Sequence, residues 1–376
     1  MRPSPLPLVV LALALTAALI ESVHAAPPAL GASTTSIAAG ASARGSAGCG
    51  VAPPTTPGES ARFTVRVGNL DREYLVHLPP AYDSRRPMSL VLDFHGYTGD
   101  AAGEELRTRL SAHADRHGYI VVYPQSTGFL AEDGRRITSW NDLAGSASPG
   151  PEGPICSEAA QRYPHPPECG EPRPCNWASC HDDLGFVDKM LDRLEETLCF
   201  DRDRVYATGM SNGGMFVHRL GCERPDRFAA IAPVGGTLAR GFNCAPGRST
   251  PLSILNIYGS RDDYVSQRGG ASSDGYYYTS AEELIRRWAS AASQGCDPAS
   301  TPYPTSLDGT LDLSCVQRDN CATGAEVVHC TWDGSHDWPR AGTVDLANEV
   351  IWEFFSRHAR PAPSASGAPP SHPRPR

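Results

Sequence analysis

Lysine is nearly missing from this chain: Lys189 is the only one among 33 Lys+Arg residues. Arginine stays protonated and forms no Schiff base. A covalent-imine or pyridoxal phosphate enzyme would therefore have to use Lys189, which falls in an amphipathic helical pattern. Basic excess is also lacking. The formal net charge is −9, so the surface offers no footprint for nucleic acid. No C-x-x-C occurs although there are 12 cysteines, and Cys156, Cys169, Cys175 and Cys180 match no zinc template. No N-x-[ST] sequon is present, so N-glycosylation is not expected. No period of 20 to 50 residues recurs, which argues against a repeat architecture. No segment reaches 18 uninterrupted apolar residues.

What is there is globular. Of 376 residues, 40% are hydrophobic and 20% charged, which excludes wholesale disorder. Gly 36 and Pro 34 predict many turns and long loops. An even number of cysteines spread along the chain suits an oxidising compartment and disulfides. Arg2, the apolar run Leu8–Ile20 and the small-residue pattern Val23-His24-Ala25 predict a signal peptide over 1–25 and hence secretion. Residues 26–48 are mostly Ala, Ser, Gly, Thr and Pro, as in a flexible linker. Residues 360–376 are Pro/Ser-rich and predict a disordered tail. The folded domain is expected over 49–359.

Within it, short β-type runs alternate with helical patterns. Arg62–Val67 and Glu73–Leu78 predict an antiparallel pair. Ser89–His95, Tyr119–Pro124, Val205–Gly209, Ala229–Val234, Ser253–Gly259 and Glu326–Trp332 complete the strands. The runs SLVLDFH and YIVVYP are nearly continuous apolar stretches, as in strands buried on both faces. Helices are expected near Ala101–His117, Asp182–Leu198, Ser211–Cys222, Ser280–Ser293 and Val344–His358. The alternation predicts an α/β domain, mainly parallel, with helices on both faces. One segment breaks it. Residues 142–180 form an aperiodic Pro-, Gly- and Cys-rich insertion, expected to be a disulfide-stapled lid or rim, with a decorative surface insertion as the alternative.

The sharpest motif is Gly209-Met210-Ser211-Asn212-Gly213. The G-x-S-x-G pattern alone is weak. Here a strand-like run precedes it and a helix-like run follows, the setting of a nucleophile elbow. A serine nucleophile needs a base, and the base needs an orienting carboxylate. His336 lies in a loop just past the last strand, whereas His218 falls on the elbow helix and His329 in mid-strand. Asp262 follows the strand-ending Gly259, and its neighbour Asp263 reads as an exposed turn residue. Backbone N–H groups of Asn212 and of Tyr97, in the loop after the third strand, are the expected oxyanion donors. His95 reads as scaffold. No cofactor or metal is required, because water suffices for deacylation. His113 and His117 have zinc-compatible spacing but read as two solvated helix-surface histidines.

Several stretches together resemble the secreted feruloyl esterase and polyhydroxybutyrate depolymerase family. They are Cys49-Gly50, Arg72-Glu73-Tyr74, Asp93-Phe94-His95-Gly96, Val122-Tyr123-Pro124, Trp140-Asn141, Asp182 to Val187, Cys199-Phe200-Asp201, Arg204 to Met215 and His336-Asp337-Trp338-Pro339. The likeness spans about Cys49 to Arg357. It implies an α/β-hydrolase fold and a carboxylic-ester hydrolase, with Ser211, Asp262 and His336 as triad and Tyr97 and Asn212 at the oxyanion positions. A feruloyl ring needs a flat apolar slot, for which Trp140, Trp177, Trp338 and Tyr97 are candidates. A hydroxyalkanoate depolymerase or an acetylxylan esterase would use the same machinery. An inactive binding module is the alternative of another class. The expected partner is an ester substrate, polysaccharide-linked or polyester, with neither nucleic acid nor membrane and with the chain a monomer.

Overall fold

The computed structural model describes residues 43–145, 148–160, 163–164, 166–170, 174–307 and 313–361. The expected signal peptide, most of the expected linker and nearly all of the expected tail lie outside them. Fourteen strands and six α-helices are described. The first strands are β1 (Ser60–Val67), β2 (Leu70–His77), β3 (Met88–Phe94) and β4 (Tyr119–Pro124), with α1 (Ala101–Thr108) and α2 (Leu110–His117) between the last two. A small hairpin, β5 (Thr127–Leu130) and β6 (Arg136–Ser139), precedes α3 (Asp183–Thr197), β7 (Phe200–Met210) and α4 (Asn212–Glu223). Then come β8 (Ala230–Val234), β9 (Ser253–Gly259), β10 (Gly270–Ala271), β11 (Tyr277–Tyr278) and α5 (Ala281–Ala289). The chain closes with β12 (Ser300–Pro302), β13 (Leu313–Arg318), β14 (Val327–Trp332) and α6 (Leu346–Ser356).

Ten strands form one sheet in the order β1-β2-β4-β3-β7-β8-β9-β14-β13-β12. The strands from β4 through β14 pair in parallel, and antiparallel strands flank them on both sides. Strand alternation sorts the core. Leu90, Leu92 and Phe94 face α3, α4 and α5, whereas Val91 faces α1, α2 and α6. Helices therefore cover both faces, the layering that the nearly continuous apolar strands predict. Strand order reverses between β3 and β7, so their C-terminal ends open a crevice where ligands bind in open α/β sheets.

The expected single helix over Ala101–His117 is two. Arg109 adopts a left-handed conformation (φ 54) and closes α1 before α2 begins. The apolar pattern continues through the break, so periodicity alone does not mark it. Strands β12 and β13 are not among the expected ones, because both are partly exposed and lack a continuous apolar run. The expected linker also ends early. Ser46 N–H donates to Phe200 O at 2.9 Å, Gly48 N–H donates to Glu195 O at 2.7 Å, and Arg44 pairs with Asp203 at 2.7 Å. Gly48 lies so close to α3 that a Cβ there would fall 2.8 Å from Leu198 C. The small residues that suggest flexibility here permit close packing.

All twelve cysteines are paired: 49–199, 156–175, 169–180, 222–244, 296–321 and 315–330. Two of these bridges interleave within the 142–180 insertion, which builds a small core of its own. Ala144, Ile155, Ala160 and Trp177 pack there with Tyr276 and Tyr278. Among the described residues no helix is long and apolar enough to cross a membrane.

Candidate active site

Ser211 stands between β7 and α4 with φ 57 and ψ −121. That conformation is strained for a residue with a side chain and is tolerated where the surroundings over-determine it. The surroundings here are tight. Ser211 N–H donates to Val234 O of β8 at 2.9 Å, and Ser211 O accepts the Met215 N–H at 2.8 Å. Glycine is needed on both sides. A Cβ on Gly209 would fall 2.7 Å from Phe94 O, and one on Gly213 would fall 2.6 Å from Phe94 C.

His336 and Asp262 come from loops after β14 and β9, so all three side chains rise from C-terminal ends of parallel strands. His336 Nε2 lies 2.8 Å from Ser211 Oγ, and His336 Nδ1 lies 2.6 Å from Asp262 Oδ2. The other carboxylate oxygen of Asp262 accepts the N–H groups of Tyr264 and Val265 at 3.0 and 2.8 Å. These bonds fix the carboxylate as an acceptor facing the imidazole. Asp262 is buried and Asp263 exposed, which separates the two adjacent carboxylates physically. With Nδ1–H donated to Asp262, Nε2 is free to accept the Ser211 hydroxyl proton.

The loop after β3 passes directly against the serine: a Cβ on Gly96 would touch Ser211 Cβ at 3.4 Å. Tyr97 follows, and the Thr98 N–H donates to Thr138 O at 2.8 Å to hold the loop. Asn212 is fully buried in the first turn of α4. Its side-chain oxygen accepts the Trp140 N–H at 2.8 Å, and its amide nitrogen donates to Asp142 Oδ2 at 2.6 Å. Asp142 Oδ1 accepts the N–H groups of Ala144 and Gly145 at 2.9 Å. Burial pushes the Asp142 carboxyl up to about 6 against these donors. Asp142 thus ties the elbow to the start of the insertion, a role that its place in an aperiodic loop does not signal.

A cavity of about 200 Å³ opens over Ser211 and His336, lined also by Tyr97, Tyr163, Trp177, Tyr264, Asp274 and Tyr278. Tyr97 meets Trp177 and Tyr163 edge-on, with ring centroids 5.3 and 5.8 Å apart. The insertion supplies two of these walls. Trp177 is seated over Gly145, where a Cβ would fall 2.6 Å from Trp177 Nε1 and closer still to another ring atom. Of the three tryptophans expected to bind substrate, Trp177 lines the cavity and the other two do not. Trp140 is fully buried, stacked on Phe216, and donates its indole N–H to His95 O at 2.9 Å. Trp338 is buried with its indole N–H donated to Asn348 at 2.9 Å. Both occupy core positions beside site loops, which adjacency in sequence does not distinguish from lining. Tyr163, Tyr264, Asp274 and Tyr278 are not among the expected residues, since they come from the insertion and from the irregular segment after β9 that includes the short strand β11. A larger cleft of about 760 Å³ is polar, bordered by Arg72, Glu73, Arg136 and His181, and contains none of the triad.

Five further histidines that the sequence singles out lie outside the triad. His95 is buried, and desolvation lowers its pKa to about 4. Its Nδ1 lies 2.8 Å from Gly96 O, and its Nε2 accepts the Ser126 N–H at 3.2 Å, which fits a neutral ring with the proton on Nδ1. His218 and His329 are likewise lowered to about 4 by burial. His113 is not a solvated surface residue as expected: it is fully buried, its pKa lowered to about 4 by burial and then by His117. Its ring stacks on His117 at 4.1 Å, and its Nε2 lies 3.5 Å from Glu349. The periodicity of α2 cannot show that α6 covers this face. His113, His117 and Glu349 form a set of metal-type ligands. Among the described residues one other such set occurs, and it includes Cys169 and Cys180, which are joined to each other.

No family model matches the chain. Feruloyl esterase C of Emericella nidulans is 26% identical over 313 residues, covering 82% of this chain and 90% of that protein. A probable feruloyl esterase C of Aspergillus niger is 25% identical, covering 76% and 83%. Feruloyl esterase B of Piromyces equi is 25% identical over 77% of this chain and 46% of its own length. Among solved structures, native sOPH superposes with a TM-score of 0.50 at 14% identity, covering 85% of this chain and 94% of its own. The chain is a carboxylic-ester hydrolase of the α/β-hydrolase fold, similar along most of its length to feruloyl esterases.

Proposed function

We propose that this protein is a secreted serine esterase that releases hydroxycinnamates such as ferulate from plant cell-wall polysaccharide. The observation that carries this reading is the unbroken Asp262–His336–Ser211 hydrogen-bond chain opening into an aromatic-walled cavity. Ser211 is the nucleophile, His336 the base and Asp262 the group that holds the imidazole in its tautomer. As Ser211 Oγ attacks the ester carbonyl, His336 Nε2 takes its proton and then delivers it to the departing alcohol. Water attacks the acyl-enzyme by the same route in reverse. The backbone N–H groups of Tyr97 and Asn212 are the donors assigned to the developing oxyanion, each such donor being worth about 10²–10³ in rate. No metal or cofactor enters these steps. A cavity of about 200 Å³ is smaller than drug-sized sites and has room for a single flat acyl ring. Six disulfides support an oxidising, extracellular setting.

The test is a substrate panel: methyl ferulate, a hydroxybutyrate oligomer and acetylated xylan, each with the purified chain. The highest kcat/KM is expected on methyl ferulate. Turnover confined to the oligomer or to acetylated xylan would replace this reading with a depolymerase or an acetylxylan esterase.

A further inference from the structure

Among the described residues Asp274 is the one carboxylate lining the cavity beside Ser211 and His336, and the proposed reaction does not use it. It sits in the turn between β10 and β11. The Ser272 N–H donates to Tyr276 O at 2.8 Å and the Gly275 N–H to Ser272 O at 3.0 Å, which fixes the turn. The insertion clamps the same turn. Ser157 N–H donates to Gly275 O and Tyr277 N–H donates to Ile155 O, both at 2.8 Å. One oxygen of Asp274 accepts the Ser272 hydroxyl, and the other accepts the Tyr163 hydroxyl at a long 3.3 Å. Among the described residues no Arg, Lys or His pairs with it. A carboxylate has about four lone-pair sites, so Asp274 keeps acceptor capacity. A second polar group in the cavity is idle. Tyr97 lines it, and the Tyr97 hydroxyl oxygen is buried with no hydrogen-bond partner.

An aromatic slot with an uncompensated acceptor in its wall and an unpartnered hydroxyl nearby suits a flat ring that carries a hydroxyl donor. We infer that Asp274, assisted by the Tyr163 and Tyr97 hydroxyls, is a specificity-determining residue that accepts the phenolic hydroxyl of a 4-hydroxycinnamoyl group. The inference rests on the esterase reading above and extends it to a named recognition contact. The chemistry favours discrimination. A phenol donating to a carboxylate makes a short, charge-assisted bond. A 4-methoxy analogue has no proton to give and covers the carboxylate's remaining acceptor sites without satisfying them. Sites that hydrogen-bond a substrate hydroxyl reject analogues lacking it far more strongly than apolar pockets reject a methyl group.

The measurement is kcat/KM on methyl 4-hydroxycinnamate, methyl ferulate, methyl cinnamate and methyl 3,4-dimethoxycinnamate, for the full chain and for Asp274→Asn and Tyr163→Phe. The readout is the ratio of methyl ferulate to the dimethoxy ester. This ratio is independent of the amount of folded enzyme. The native protein should show a ratio of about 10 or more, and Asp274→Asn should bring it to about 2 or below, with Tyr163→Phe between. A native ratio near one with all four esters hydrolysed would overturn the Asp274 contact while leaving the hydroxycinnamate esterase intact. An unchanged ratio in Asp274→Asn would show that Asp274 only braces the turn. Hydrolysis of 4-nitrophenyl acetate with no turnover of any cinnamate would remove both readings.

Discussion

Gly213→Ala tests whether the close contact of α4 with β3 sets the geometry of the site. In an open helix the change would be favourable, since alanine exceeds glycine by about 1 kcal/mol in helix propensity. Here the new Cβ would fall 2.6 Å from Phe94 C and 2.7 Å from His95 O, and closer still to Phe94 O. These neighbours are backbone and cannot rotate away. Ordinary contact begins near 3.4 Å, so Phe94 C must retreat by 3.4 − 2.6 = 0.8 Å. Strand β3 is held by β4 on one side and β7 on the other, so the movement strains both ladders. Overpacking of this kind costs about 1–3 kcal/mol, which outweighs the propensity gain. The loop carrying Gly96 and Tyr97 moves with β3, and a displacement on the order of 1 Å costs about 10²-fold in rate. The assay is kcat/KM on 4-nitrophenyl acetate with a thermal melt, beside Gly247→Ala, whose nearest neighbour would be 4.0 Å away. Gly213→Ala should lose about 100-fold in kcat/KM and melt lower, while Gly247→Ala should match the native protein. Gly213→Ala with activity within about twofold of native and an equal or higher melting temperature would refute the steric argument.

Asp142→Ala should lower stability by about 1–3 kcal/mol or more, because it strands the buried N–H groups of Ala144 and Gly145 and the Asn212 amide; chemical denaturation with an unchanged midpoint would contradict the tie between elbow and insertion. Burial raises the Asp93 carboxyl to about 8, and Glu104 beside it is raised as well. A raised carboxyl contributes stability that is full below about pH 4, where the unfolded chain is also protonated, and is lost as pH rises through about 8. Melting temperature should therefore fall more steeply above about pH 5 in the native protein than in Asp93→Asn, and parallel pH profiles would count against a buried neutral acid. Trp177→Ala should raise KM for methyl ferulate more than for 4-nitrophenyl acetate, since it removes one aromatic wall of the cavity; equal changes on both esters would make Trp177 a packing residue only.

The sequence shows the sheet's parallel centre because strands buried on both faces must be apolar throughout, as in Tyr119–Pro124. It shows Ser211 because the elbow demands glycines at fixed offsets, and it shows His336 because the loop after the last parallel strand returns to the same edge of the sheet. Burial and the bond to His336 separate Asp262 from Asp263, and a pair of adjacent aspartates displays neither. The cavity walls are least legible. Trp177 is the one expected tryptophan that lines the cavity, whereas Tyr163 reaches it through a loop shaped by two interleaved bridges, whose pairing sequence cannot supply. Trp140 and Trp338 mislead for the opposite reason. They adjoin site loops along the chain yet turn into the core, where their indole N–H groups find His95 O and Asn348. His113 reads as solvated on α2 alone, and packing against Tyr119 of β4 and Glu349 of α6 buries it.

The most direct test of the central claim is covalent labelling of the native protein with an organophosphonate, followed by peptide mass mapping. Ser211 Oγ, 2.8 Å from the His336 imidazole, should carry one adduct per chain. His336→Ala should label far more slowly and Ser211→Ala not at all, with ester turnover lost in parallel. Labelling at another residue, or ester turnover by Ser211→Ala close to the native rate, would contradict a serine nucleophile at the β7–α4 turn.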